Sequence, residues 1–309
     1  YMVLNDLLEV LLIAYPSILV ILFLIARLIA GRSIKPISSI INTSNAITKD
    51  NLKSRIVLPK TKDELYILSK TINSLLDRLE TAIEREKQFT SDASHELRTP
   101  LTVIKGTLEV LIRKPRATQE YEEKINFCVA EVDRLNHLVD QLLLLARYEN
   151  EKQTLKKEPV YLNGVLLDTL ARQSAFIESK EISIQTELED DFYCLSDHHF
   201  VSIIVTNLIS NALKYSNQHG TIQIQLKHKL DQIQCSIIDN GIGIPQSDLE
   251  KVFQPFFRSK ALNHPEIKGI GVGLSIVQRL CSLLSIGIDI SSTEKLGTKV
   301  ELIFQKQPK

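Results

Sequence analysis

The sequence predicts a multidomain chain. It should hold a transmembrane helix, a heptad-patterned helical relay, an antiparallel helical hairpin pairing into a dimeric four-helix bundle, and an α+β two-layer sandwich. Three observations predict this. Residues 10–26 (VLLIAYPSILVILFLIA) carry no charge. Apolar residues recur at helical spacing through much of 65–145. Past Pro159 the pattern becomes clusters of strands and helices, which argues against a doubly wound sheet.

The 309 residues suffice for two or three domains. Lysine plus arginine (37) balances aspartate plus glutamate (37), so charge gives no reason to expect direct nucleic-acid binding. Cys128, Cys194, Cys235 and Cys281 stand far apart, which fits a reducing compartment and argues against a zinc or disulfide framework.

With residues 28–30 after Arg27, the apolar stretch approaches the ~20 residues that cross a bilayer. It is too long for a signal-peptide core, and no small-residue cleavage site follows. Membrane helices tolerate a proline such as Pro16. A transmembrane helix is therefore expected over 7–30. Asp6 and Glu9 precede it, while Arg27, Arg32 and Lys35 follow. The basic side stays in the cytoplasm, so the chain should be anchored in the inner (plasma) membrane with its catalytic part cytoplasmic. The first residue is tyrosine, and residues 1–6 read as an extracytoplasmic remnant. Further N-terminal sequence, with any external sensor, is expected before it.

Ile37, Ile40, Ser44 and Ile47 follow in helical spacing. A polar connector over 49–62 holds Pro59, and a second helix starts near Asp63 and Glu64. Its seam is Leu65, Leu68, Ile72, Leu75 and Leu79. Two helices joined by an extended connector just inside a membrane resemble a HAMP signal relay, expected over 31–84. An ordinary coiled-coil spacer is the alternative. The seam continues through Ala82, Glu86 and Phe89, steps by four to Ala93 and Leu97, then resumes through Leu101, Ile104, Leu108 and Leu111. Two successive four-steps make a stutter, which locally unwinds a coiled coil.

Residues 114–117 (KPRA) break this helix. A second one, over 118–147, should carry Ile125, Val129, Val132, Leu135, Leu142 and Leu145 inward. One hairpin buries two apolar stripes poorly, so a homodimer is expected, with the hairpin domain over 85–150. Residues 149–158 read as a linker, and the sandwich occupies 151–309. Its expected helices are 162–179, 197–215 (capped by Ser196 or Asp197) and 272–284. Its expected strands are 182–188, 221–227, 233–238, 288–292 and 298–304.

Four segments carry the chemistry. The first is FTSDASHELRTPL over 89–101, with His95, Glu96, Thr99 and Pro100. His95 lies about 200° round the helix from the seam residue Leu97, facing solvent as a nucleophile must. Neutral imidazole attacks through a ring nitrogen, and its other N–H needs an acceptor. Glu96 is adjacent, although neighbouring helical residues do not face one another. Thr99 shares the face of His95 and can hold a water. Pro100 cannot bond the carbonyl of Glu96, so a bend is expected there.

The other three follow about a hundred residues later: NLISNALKYS (207–216), DNGIGIP (239–245) and KGIGVGLSIV (268–277). Asn207 and Asn211 share a helical face, and amide oxygens suit Mg²⁺. Asp239 ends an apolar strand, where a carboxylate can accept from the adenine 6-amino group. Gly241 and Gly243 let the backbone approach the base. Gly269, Gly271 and Gly273, with Leu274 after them, open a helix, where backbone N–H groups suit phosphate.

Together these segments resemble the transmembrane sensor histidine kinases of two-component systems, over residues 31–306. The resemblance implies a HisKA-type phosphoacceptor hairpin and a GHKL-type, Bergerat-type ATP-binding sandwich. It implies autophosphorylation of His95 from ATP, with Glu96 as general base, and transfer to an aspartate of a response regulator. Thr99 in E-x-x-T marks kinases that also dephosphorylate their regulator. Asn211 would ligate Mg²⁺, Lys214 would meet phosphate and Tyr215 would lie near adenine. FQPFFR (253–258) resembles the aromatic box, with Arg258 and Lys260 as γ-phosphate candidates on a lid over 254–268. The last box departs from the pattern, because Lys295 replaces its first glycine in Lys295-Leu296-Gly297-Thr298. Thr298 remains a candidate for the adenine pocket. Rival readings are a plain GHKL-fold ATPase, mainly a regulator phosphatase, or a nonenzymatic scaffold.

The stutter falls just before His95, where rotation of upstream helices would be passed on. Deleting one four-residue step should lock phosphorylation on or off; an activity assay showing unchanged regulation would contradict this.

Overall fold

In the computed structural model, contacts divide the chain into two units, Tyr1–Gln88 and Phe89–Lys309. The structure describes residues 2–48, 51–59, 62–147, 155–188, 190–229, 231–259 and 269–305.

In the first unit, α1 (Met2–Ala46) runs through Pro16 without a break. Its described side chains from Leu11 to Ile25 are apolar apart from Ser17 and are all exposed. Among the described residues no helix is long and apolar enough to cross a membrane. The outer turns of the expected span, residues 7–10 and 28–30, lie outside the described side chains.

The connector turns at Leu52 and Lys53, where the Ser54 N–H donates to the Asn51 carbonyl (3.4 Å), and then lies on α2 (Glu64–Leu111), which contributes to both units. Ile56 is buried, and Asn73 bonds both its backbone groups: the Ile56 N–H donates to Asn73 Oδ1 (2.9 Å) and Asn73 Nδ2 donates to the Ile56 carbonyl (2.9 Å). Arg55 pairs with Asp77 and Glu80 on the same helix. The buried positions of α2 here are Ser69 and Leu76, on the face of Asn73. The expected seam differs: Leu68, Leu75 and Leu79 are exposed. The connector covers the neighbouring face.

In the second unit, the rest of α2 and α3 (Thr118–Arg147) form the hairpin. Leu111, Cys128, Leu138 and Leu145 are buried. Of the residues expected inward, Leu145 is buried, Leu135 and Leu142 are half-buried, and Ile125, Val129 and Val132 are exposed. Each helix has one neighbour in the hairpin, so an apolar stripe is left over. Helix α2 runs on through Pro100 as one element.

The sandwich follows. A five-stranded mixed sheet has the order β2-β4-β5-β7-β6, with β2 (Ser183–Glu187), β4 (Thr221–Lys229), β5 (Gln232–Asp239), β6 (Gly287–Thr293) and β7 (Gly297–Gln305). Only β2 and β4 pair in parallel. Helices α4 (Leu162–Arg172), α6 (His198–Tyr215) and α7 (Gly273–Leu284) bury their apolar stripes in its core. Ile204, Val205 and Leu208 of α6 join Ile222 and Ile224 of β4, Ile237 of β5, Leu302 of β7 and Ile276 of α7. The opposite sheet face is polar: Glu187 accepts from Gln223 and Gln225 and pairs with Lys227, while Glu301 is held by Gln234, Ser236 and Lys299. Burial pushes the thiols of Cys194, Cys235 and Cys281 up to about 12, so they are inert at neutral pH.

Two details differ from expectation. The helix expected over 162–179 breaks at Gln173 into α4 and α5 (Ser174–Lys180). A two-stranded sheet of β1 (Glu158–Tyr161) and β3 (Tyr193–Ser196) was not anticipated, because Pro159 closes what reads as a linker. Asp197 is the N-cap of α6, accepting from the His199 and Phe200 N–H groups.

Replacing Asn73 with alanine orphans both backbone groups of buried Ile56, at a cost of about 1–3 kcal/mol. Hydrogen exchange at the Ile56 amide should accelerate sharply; unchanged exchange would contradict this role.

Candidate functional site

The site is built at the end of β5. Hydrophobic alternation buries Ile233, Cys235 and Ile237 on the helix side, and the same phase carries Asp239 inward. Its Oδ1 accepts from the Gly241 N–H (2.9 Å) and the Thr298 N–H (3.3 Å). Burial pushes the carboxyl up to about 6, against the opposing pull of these two bonds. The group is held in place yet close to its titration point at neutral pH.

Around it lies a cavity of about 270 Å³. Asn207, Asn211 and Lys214 reach it from the flank of α6 opposite its buried stripe. Tyr215 closes the same helix. Gly243, Arg258, Gly269, Gly271, Gly273, Leu274 and Thr298 also line the cavity. Gly241 does not; it sits behind, so close to the Tyr215 carbonyl that a Cβ would overlap it. Burial lowers the pKa of Lys214 and raises that of Tyr215.

The two asparagines differ in their commitments. Asn207 Nδ2 donates to the Ile203 carbonyl (2.9 Å), and its Oδ1 lies where any Cβ on Gly273 would sit 2.8 Å away. It shapes the wall. The Asn211 side chain has no hydrogen-bond partner among the described residues, so its amide oxygen is available to a hard cation. Helix α7 begins at Gly273 with no side-chain cap. The N–H groups of its first turn have no intrahelical partners, and the dipole there favours an anion.

Backbone shape is set by glycine where nothing else fits. Gly243 has φ +68°, and a Cβ would overlap the Thr293 carbonyl oxygen. Gly271 has φ +80°, against the backbone of Phe256 and Phe257. Lys295, which replaces the usual glycine, takes φ +65°. It accepts the left-handed geometry at a cost of order 1–3 kcal/mol. Its N–H donates to the Ile242 carbonyl (2.7 Å), so the glycine loop is still held. Thr298 lines the cavity, its hydroxyl 2.9 Å from that of Ser292.

Lys260 and residues 261–268 of the expected lid lie outside the described residues. Before them, Ser259 is buried and its hydroxyl bonds Asp248, while the Phe256 ring lies 5.6 Å from that of Phe89.

His95 is not brought to the cavity. It is exposed on α2, and among the described residues neither its ring nor Glu96 has a hydrogen-bond partner. The Thr99 hydroxyl donates to the His95 carbonyl (3.2 Å). Arg134, His137 and Gln141 of α3 line the cavity instead. Sequence reasoning missed them, since nothing local separates them from other polar positions of an amphipathic helix.

Residues 196–308 match the family described as histidine kinase-, DNA gyrase B-, and HSP90-like ATPase. Residues 85–151 match the His Kinase A (phospho-acceptor) domain and residues 28–81 the HAMP domain. The chain is 29% identical over 283 residues to the signal transduction histidine-protein kinase ArlS of Staphylococcus epidermidis, covering 91% of this chain and 61% of that protein. ArlS of Staphylococcus aureus is 28% identical over 271 residues, covering 87% and 60%. The chain thus spans about three fifths of the length of these relatives. Among solved structures, Acinetobacter baumannii histidine kinase AdeS has a TM-score of 0.56 at 23% identity, covering 69% of this chain and 98% of that one. Histidine kinase ThkA, solved in complex with response regulator protein TrrA, has a TM-score of 0.58 at 22% identity, covering 75% and 66%. At these identities the likeness establishes the fold.

Asp239 carries a stability test. Its folded pKa, about 6, lies above the ordinary carboxyl value of 3.8. Between those values the folded state holds a proton that the unfolded state lacks. Stability should therefore fall as pH rises through that window, by up to about 3 kcal/mol. Asp239→Asn should melt higher than wild type at pH 7, with the gap closing toward pH 4. A pH-independent gap would contradict the assignment.

Proposed function

We propose that this chain, which belongs to the two-component sensor histidine kinases, transfers the γ-phosphoryl group of ATP to His95 and then to an aspartate of a response regulator. The observation that carries the reading is the convergence of Asp239, Asn211, Lys214, Arg258 and the uncapped start of α7 on one cavity. A buried carboxylate acceptor, basic side chains and open N–H donors around one cavity suit an adenine nucleotide. Asp239 would accept from the adenine amino group, with Gly241 and Thr298 fixing its orientation. Lys214 and Arg258 would meet the phosphates, joined by Lys260. Gly269, Gly271, Gly273 and Leu274 would supply backbone contacts. Mg²⁺, held through Asn211, would neutralise phosphate charge during transfer.

His95 attacks phosphorus with a ring-nitrogen lone pair, and the bond from phosphorus to the ADP oxygen breaks. The ring must be neutral for that lone pair to be available. Glu96, half-buried and without a competing bond, is the acceptor for the second ring N–H. Because α3 lines the cavity in the described arrangement, the sandwich must leave Arg134 and His137 before His95 of the same or a second chain can enter. The Thr99 hydroxyl, bonded only to its own helix, can hold the water that removes phosphate from the regulator.

The rest of the chain fits this role. The exposed apolar stripe with Ile125, Val129 and Val132 supports a homodimer through the hairpin. The apolar run of α1, followed by Arg27, Arg32 and Lys35, supports a single span with the catalytic part cytoplasmic. The proposed boundaries are 7–30 for the span, 31–84 for HAMP, 85–150 for the hairpin and 151–309 for the ATP-binding domain.

Labelling with γ-phosphate-labelled ATP tests the reading. Wild type should acquire an acid-labile, base-stable phosphoryl group, and His95→Gln should lose it while still binding ADP. Thr99→Ala should keep labelling and lose regulator dephosphorylation. Retained labelling in His95→Gln would overturn the assignment, and ATP hydrolysis without any labelled protein would favour a plain ATPase.

A further inference from the structure

Helix α6 ends without a glycine cap. Its chain leaves through Ser216 in an extended conformation. A helix leaves its last four carbonyls without intrahelical partners, here those of Leu213, Lys214, Tyr215 and the C-cap Ser216. The Ala212 carbonyl accepts from the N–H (3.0 Å) and the hydroxyl (2.7 Å) of Ser216. The Tyr215 carbonyl accepts from the Ile242 N–H (3.2 Å), inside the DNGIGIP loop. The remaining three accept from a residue more than thirty positions away. Lys180 Nζ donates to Leu213 O (3.1 Å) and Lys214 O (2.9 Å), and also to Ser216 O (3.0 Å). An ammonium has three N–H donors and no acceptor, and here three donors meet three carbonyls. The Phe176 ring lies 5.4 Å from the same nitrogen, and the Lys180 carbonyl accepts from the His219 N–H (3.0 Å).

The turn that Lys180 gathers is the one the adenine end leans on. The Tyr215 carbonyl seats Ile242, Gly241 packs so close to that carbonyl that a Cβ would overlap it, and the Gly241 N–H holds Asp239. We propose that Lys180 is a positioning residue for the nucleotide cavity: by collecting the carbonyls of Leu213, Lys214 and Ser216 it sets the Tyr215 carbonyl, and through it the loop that orients Asp239. This rests on the reading of the cavity as an adenine-nucleotide site.

The test compares the 309-residue chain with Lys180→Met, Lys180→Arg and a control, Val201→Ala, which opens the α6 core away from the cavity. Calorimetry measures affinity for Mg-ADP and for Mg-tripolyphosphate, hydrogen exchange reads the Ile242 amide, and thermal melting reads stability. Lys180→Met should bind ADP about tenfold more weakly, with tripolyphosphate binding nearly unchanged and faster exchange at Ile242. Val201→Ala should melt lower yet bind ADP as wild type does. If Lys180→Met does not fold, Lys180→Arg should show the same pattern more weakly, because a planar fork cannot converge on three carbonyls. Undiminished ADP affinity in the folded Lys180 variant, or equal losses for both ligands, would overturn the role. A wild-type chain that binds no ADP would overturn the nucleotide reading itself, and this role with it.

Discussion

The cavity depends on one buried carboxylate. Asp239 ends a central strand and is tied by backbone N–H groups to the glycine loop after it and to β7 beside it. Leaving a charge there unpaired would be costly, and the fold answers with two oriented donors and a pKa drawn upward. Much of the local irregularity serves that arrangement. Glycines allow close approach, Lys295 tolerates a left-handed backbone, and the Tyr215 carbonyl receives the loop. A carboxylate held this way, with one oxygen committed to the protein, is suited to accept from a ligand amino group.

The two halves of the proposed chemistry are kept apart. The nucleotide end is buried and preorganised, whereas His95 is exposed and unbonded among the described residues. Preorganisation suits the group that binds, because its polar atoms are already paired when the ligand arrives. Exposure suits a group that, on the proposed function, would visit two partners, a nucleotide and a regulator. Arg134 and His137 lining the cavity give the separation a physical form: on the proposed function, α3 would have to move away before His95 could enter.

Periodicity and turn chemistry made much of this legible. The helix over 118–147, the β4–β5 hairpin, the Asp197 cap and the inward phase of Asp239 follow from alternation and capping rules. Asn207, Asn211 and Lys214 share a helical flank by spacing alone. What stayed hidden depends on contacts between distant segments. The pairing of β1 with β3 involves four residues a side and a proline, too short to register as a pattern. The break at Gln173 follows no glycine or proline. Lys180 looks like any surface lysine until α6 ends beside it. The heptad seams were legible as apolar stripes, but which stripe a single chain covers depends on where the connector lies.

The most direct measurement of the central claim is titration calorimetry of the 309-residue chain with ADP and with GDP, each with Mg²⁺. The account predicts binding of ADP with little or none of GDP, and loss of that preference when Asp239 becomes asparagine. Equal affinity for the two bases, or a preference that survives the substitution, would contradict it.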